Sequence, residues 1–209
     1  MSKILLKEFF SVDLNLKDSL RESVNSNGKK TIRLKGIIQR ADTINQNGRI
    51  YPRYILEREV ENYKRLINEG RAVGELDHPD STIISTERIS HKIIDLWWDG
   101  DAVFGEVEIM PTPMGQIAIT LVENKVKLGI SSRGLGSIEE RGGITYVSDD
   151  FQLMCWDIVQ EPSTTMAFLY PEGTFSKDIK LESIEEKYKK QTKNDLQNKI
   201  QEILSLRSK

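Results

Sequence analysis

Only two histidines, His78 and His91, occur among the 209 residues, so chemistry that needs an imidazole near neutral pH has two candidate bases. His78 lies in Gly74-Glu75-Leu76-Asp77-His78-Pro79-Asp80, where Pro79 biases the histidine toward an extended backbone and bars a helix from running through it. His91 sits in an apolar strand pattern and reads as structural. Paired hydroxyls occur in Leu128-Gly129-Ile130-Ser131-Ser132-Arg133-Gly134-Leu135-Gly136. A serine is a poor nucleophile until a base takes its proton, and flanking glycines let a substrate backbone approach and leave room for amide donors facing an oxyanion. The segment departs from the Gly-x-Ser-x-Gly elbow at Arg133, and no helical pattern follows it. On a strand Ser131 and Ser132 point to opposite faces, so only one can meet an imidazole; Ser132 shares its face with Ile130. A base also needs an acceptor behind it. Asp157, inside the apolar run from Phe151 to Val159, is a carboxylate whose burial costs free energy unless it is paired.

Other chemistry is open to the same residues. Glu75, Asp77, His78 and Asp80 have the oxygen and nitrogen donors that suit zinc or manganese, although no second spaced histidine motif accompanies them. Cys155, the single cysteine, cannot form an internal disulfide, and between Met154 and Trp156 it reads as a small buried apolar residue. Thirty basic and 32 acidic residues give a formal net charge of -2, with no single-signed field of the kind a nucleic-acid or membrane binder carries. No apolar run approaches the ~20 residues of a membrane span, and the N-terminal apolar stretch is too short and too broken by Lys7 and Glu8 for a signal peptide. A soluble, intracellular protein acting on proteins or small molecules is expected.

These residues need elements to hold them. Ile32, Leu34, Gly36 and Ile38 share one face of a strand, and Asn45 to Arg49 is a loop. Pro52 opens a helix with Leu56, Val60, Tyr63 and Ile67 on one stripe, ended by Gly70. After the His78 loop, ISHKIIDLWW and AVFGEVEI form a hairpin about Asp99, Gly100 and Asp101, with Trp97 and Trp98 on opposite faces. Thr112 caps a second helix with Ile117, Leu121 and Val122 inward and Gly129 as its stop. Strands around Ser132 and from Phe151 to Val159 follow, joined through Arg141-Gly142-Gly143 and the short strand ITYV. The expected fold is α+β: a mainly antiparallel β-barrel or curved sheet with surrounding helices. Residues 1–28 form an arm, 29–176 the catalytic domain and 177–209 a charged helical tail.

The loop NQNGRIYP (Asn45 to Pro52), the box GELDHP (Gly74 to Pro79), the segment LGISSRGLG and the strand ending WDIVQEPS, in this order, resemble the prohead core proteases of tailed bacteriophages. The likeness covers roughly residues 30 to 175, and that family is similar in fold to the herpesvirus assemblins. The resemblance implies a serine endopeptidase with its base before the nucleophile and its third member after it: His78, Ser132, Asp157. The assemblin-type serine precedes an x-Gly pair, which Ser132-Arg133-Gly134 matches, and the backbone amides near Arg133 and Gly134 become the oxyanion donors. Assemblins use a second histidine as third member; His91 precedes the serine, and Asp157 as third member departs from the assemblin pattern.

The resemblance further implies cleavage after Glu with Leu or Ile two residues before it, of scaffold or core proteins and the major capsid protein, inside the assembling prohead in the host cytoplasm. No cofactor, nucleic acid or membrane is implied; a homo-oligomer is possible. Leu6-Lys7-Glu8 in the arm, and Ile184-Glu185-Glu186 and Ile200-Gln201-Glu202 in the tail, fit the rule and point to self-processing. Two rival readings remain: a non-enzymatic scaffold component, and a metal-dependent hydrolase using Glu75, Asp77 and His78.

Overall fold

The computed structural model describes residues 3–7, 22–24, 30–160 and 170–171. Two short strands, β1 (Ile4–Lys7) and β2 (Glu22–Val24), precede the long alternating strand β3 (Lys30–Arg40). Ile32, Leu34 and Ile38 of β3 face the core as their spacing requires. In the loop that follows, the Asn45 side-chain oxygen accepts from the amides of Asn47 and Arg49, both at 3.0 Å, and Gly48 takes a left-handed φ of 70°. The chain then enters β4 (Arg49–Ile50) and, behind Pro52, helix α1 (Arg53–Asn68). The helix buries Ile55, Leu56, Glu59, Val60 and Tyr63 and stops at Gly70, whose φ is 69°.

The short strand β5 (Val73–Glu75) leads into the loop carrying His78, and the expected hairpin follows as β6 (Ile89–Asp99) and β7 (Ala102–Ile109), closed at Asp99 opposite Ala102. Trp97 stacks on Phe104 with ring centroids 5.7 Å apart. Trp98 packs against the core from the other face. Thr112 caps α2 (Pro113–Glu123) by accepting from the Gly115 amide at 3.0 Å.

Two details of α2 correct the sequence reading. Gly115, Ala118 and Ile119 are its buried residues and Leu121 and Val122 pack half-buried against the core, whereas Ile117 is 46% exposed. The helix also ends at Glu123, with Lys125 in the left-handed region at φ 62°, and Gly129 begins the next strand instead of stopping the helix. The remaining strands are β8 (Gly129–Gly136), β9 (Ile138–Arg141), β10 (Ile144–Val147), β11 (Gln152–Val159) and β12 (Tyr170–Pro171).

The fold is α+β. One sheet has the order β12-β3-β7-β6-β5 with β2 also paired to β3; a second is β1-β8-β11; a third is β4-β10-β9. Pairing is antiparallel except between β4 and β10. Among the described residues the sheets do not close into a barrel. The main core joins Ile32, Ile38 and Val107 of the large sheet to Ile130, Trp156 and Ile158 of β8 and β11, and to Val60 and Tyr63 of α1. One parallel bridge, Leu76 to Ile158, links the loop after β5 to β11. That link brings the two sheets together at the candidate site. The expected arm contains β1, whose Leu6 is fully buried; the tail from residue 177 lies outside the described residues. Among those residues no helix is long and apolar enough to cross a membrane.

Candidate active site

Beyond β5 the chain runs beside β11: the Asp77 amide donates to the Ile158 carbonyl at 2.8 Å. Asp77 then adopts φ 63°, a left-handed conformation that aspartate tolerates better than most residues. The turn brings His78 against Asp157, with Nδ1 2.8 Å from Oδ2. The histidine side chain is 1% exposed and the aspartate 0%. Because a carboxylate only accepts, the contact assigns the proton to Nδ1 and leaves Nε2 as the basic nitrogen.

Asp157 is held by more than the imidazole. Its Oδ1 accepts from the Glu75 amide at 3.0 Å, from Arg133 Nη2 at 3.2 Å and from the Cys155 thiol at 3.3 Å. Arg133 Nε lies 2.8 Å from Oδ2. Burial pushes the Asp157 pKa up, but the hydrogen bond from His78 and the charge of Arg133 more than offset it, and the carboxyl is held below the usual carboxylate range. Arg133, with no exposed side chain, also pairs with Glu75 Oε2 and donates from Nη1 to the Ser81 carbonyl at 2.8 Å. Glu75 Oε1 in turn accepts from the Ser85 amide at 2.8 Å, which ties down the loop beyond His78. One buried cation therefore stands between two buried carboxylates. A proton arriving on His78 would neutralise this group, which is the electrostatic setting a general base requires.

The pairing of β8 with β11 decides where the two hydroxyls lie. Ser131 is opposite Asp157, Ser132 opposite Trp156, and Arg133 opposite Cys155. Directly paired residues share a face, with Cβ atoms about 5 Å apart. Ser131 therefore lies on the face of Asp157 and Arg133, while Ser132, expected from the motif to carry the nucleophilic hydroxyl, lies on the core face with Ile130, Trp156 and Ile158. Ser132 Oγ is buried and makes no hydrogen bond among the described residues. The expected oxyanion donors, Arg133 and Gly134, lie in a strand bordered on both sides: Arg133 by Lys7 and Cys155, Gly134 by Leu6 and Leu153.

The carboxylates grouped with His78 as possible metal ligands are dispersed. Glu75 faces Arg133, and Asp80 is exposed and paired with Lys7. Among the described residues no three His, Cys, Asp or Glu side chains could share a metal ion. His91 is enclosed as a core residue, with Nδ1 2.8 Å from Ser90 Oγ and Nε2 3.0 Å from the Trp156 carbonyl. Burial pushes the Cys155 thiol well above its ordinary pKa and keeps it neutral. Sequence reasoning missed the side-chain roles of Glu75 and Arg133. The available signal was the one used for Asp157: a charged residue amid apolar and glycine neighbours on a strand needs a partner.

A buried histidine in contact with a buried aspartate, with Ser131 paired opposite that aspartate, is the set of groups from which a serine-type hydrolytic site is built. The family model described as prohead core protein serine protease matches residues 14–178, and the chain belongs to that family. It is 33% identical over 153 residues to the prohead core protein protease of Enterobacteria phage T4, covering 69% of this chain and 70% of that protein. It also resembles the solved structure of the bacteriophage T4 capsid assembly protease, with a TM-score of 0.66 and 28% identity, covering 76% of this chain and 99% of the other.

Proposed function

We propose that this chain is a serine endopeptidase that cuts scaffold, core and shell proteins within the phage prohead, with Ser131 as nucleophile, His78 as base and Asp157 as the group that orients it. The observation that carries the reading is the contact of His78 Nδ1 with Asp157 Oδ2 on the face that the strand register assigns to Ser131. In this mechanism Nε2 of His78 takes the hydroxyl proton while the serine oxygen bonds to the scissile carbonyl carbon. The tetrahedral oxyanion is received by backbone amides along Arg133 and Gly134, which must leave their present ladder to do so. The imidazolium then protonates the departing amine as the carbon–nitrogen bond breaks. Water, deprotonated by His78, hydrolyses the acyl-enzyme. Arg133 keeps Asp157 ionised, so the positive charge on the imidazolium has a fixed counter-charge at 2.8 Å.

Ser132 is the second reading, supported by its buried Oγ without a hydrogen-bond partner and by its match to the Ser-x-Gly pattern. Fluorophosphonate labelling of Ser131→Ala and Ser132→Ala separates the two. Ser131→Ala should abolish labelling and lower kcat by on the order of a thousandfold or more, while Ser132→Ala keeps its label. The reverse pattern transfers the role to Ser132. Wild-type protein that neither labels nor cleaves a prohead protein would favour a non-enzymatic scaffold role. Peptides containing Leu-x-Glu or Ile-x-Glu are the substrates to try first, and loss of residues 1–8 from aged protein would reveal self-processing.

A further inference from the structure

The strand β1 lies on the free edge of β8, antiparallel, with Leu6 opposite Gly134 and Lys7 opposite Arg133. Its register advances toward Ser132 and Ser131. Without β1, β8 would be an edge strand beside the catalytic group, since β11 covers only its other side. An exposed strand edge next to a nucleophile is where an extended peptide adds itself by main-chain hydrogen bonding.

The contacts of Lys7 in β1 are divided between its backbone carbonyl and its side chain. The Lys7 carbonyl accepts from Asn47 Nδ2 at 2.8 Å and from Arg49 Nη1 at 3.2 Å. The Lys7 side chain reaches over the catalytic loop to the His78 carbonyl at 3.4 Å and pairs with Asp80. Apolar selectivity comes from Leu6, which is 0% exposed and fills a pocket of Ala41, Tyr51, Ile55, Leu56, Val147 and Phe151.

We infer that the β8 edge and this apolar pocket form the substrate cleft, which takes an extended peptide with an aliphatic side chain in the Leu6 position, and that β1 occupies it in cis as a competitor. The inference rests on the serine-protease reading. It also accounts for one side of the ladder around Arg133 and Gly134: the occupant that borders them there is the one a substrate displaces.

A segment tethered this closely competes at an effective concentration in the millimolar range, so its removal should lower KM for a peptide substrate by about tenfold or more with little change in kcat. The test compares the full chain with a chain lacking residues 1–7, each checked for a cooperative thermal transition, and then adds a synthetic peptide of residues 2–8. The expected result is a lower KM in the truncated chain and competitive inhibition by the peptide. A truncated chain that is folded but inactive, and that the peptide restores, would make β1 a structural strand and overturn the inference.

Should truncation prevent folding, the double variant Leu5→Cys and Leu135→Cys decides in the intact chain, because those positions pair across β1 and β8. The oxidised protein must be inactive and recover on reduction; full activity when oxidised refutes the proposal. Fluorescence anisotropy in Ser131→Ala proteins separates the two readings. If an aliphatic-containing peptide displaces the labelled 2–8 peptide although wild type never cleaves, the cleft stands and the protease reading falls. If cleavage is normal but no displacement occurs, the cleft falls alone.

Discussion

His91 should make the protein's stability depend on pH below neutrality. The side chain is wholly buried. Its Nε2 faces a carbonyl and must carry the hydrogen, so Nδ1 accepts from Ser90. Burial pushes its pKa down from 6.5 to about 4, against the opposing pull of Asp157 and the Trp156 carbonyl. An unfolded chain takes up this proton near pH 6.5, whereas the folded chain resists until about pH 4. The contribution is therefore fully present above pH 6.5 and is lost as the pH falls through that interval, with a slope of about 1.4 kcal/mol per pH unit. The whole interval corresponds to about 3 kcal/mol, and about 2 kcal/mol is gone by pH 5. Carboxylates held low in the fold, Asp157 and Glu108 among them, act in the same direction but below about pH 4.5. Urea unfolding followed by tryptophan fluorescence at pH 7.5, 6.5, 5.5 and 5.0 measures the effect. His91→Gln should be less stable than wild type at pH 7.5, and the gap should shrink by about 2 kcal/mol at pH 5. Parallel stability curves for the two proteins would refute the assignment of His91 as a neutral core residue.

Two further substitutions probe the frame around the site. Arg133→Met removes the one buried cation shared by Glu75 and Asp157 and should cost about 3–5 kcal/mol in urea unfolding at neutral pH; a loss under 1 kcal/mol would mean the charge network contributes little. Gly74→Ala puts a methyl 2.1 Å from the Trp156 carbonyl and 2.5 Å from the His91 ring, so β5 must move away from β11. A loss of about 1–3 kcal/mol is expected, with a fall in kcat beyond that of equally destabilised variants elsewhere; retained wild-type kcat would show that the β5–β11 spacing does not govern the base.

The pair His78 and Asp157 was legible in the sequence because both obey strong local rules. Proline after His78 excludes a helix, and a lone carboxylate in an apolar strand demands a partner. The hairpin of β6 and β7 and the Thr112 cap were legible for the same reason, since turn and cap chemistry is local. Which of the two serines shares the face of Asp157 was not legible. Alternation says that Ser131 and Ser132 face opposite ways, but which face holds Asp157 depends on the register of β8 against β11, and that register includes an irregularity between Leu153 and Cys155. Arg133 was read only for its amide because nothing nearby in sequence announces Glu75 as its partner. The α2 stripe held at Leu121 and Val122, which pack against the core, and failed at Ile117 for a related reason: in a short helix with apolar residues on several sides, the neighbours select the buried face, and they chose Ala118 and Ile119 over Ile117.

The bridge between Leu76 and Ile158 has a consequence for timing. His78 and Asp157 come from distant parts of the chain and meet only when β11 docks beside the loop that leaves β5. Chains emerge from the ribosome N-terminus first, so a nascent polypeptide already holding Glu75 and His78 has no Asp157 to orient the imidazole. On the proposed serine-protease reading, hydrolytic power requires nearly the whole domain to have been made.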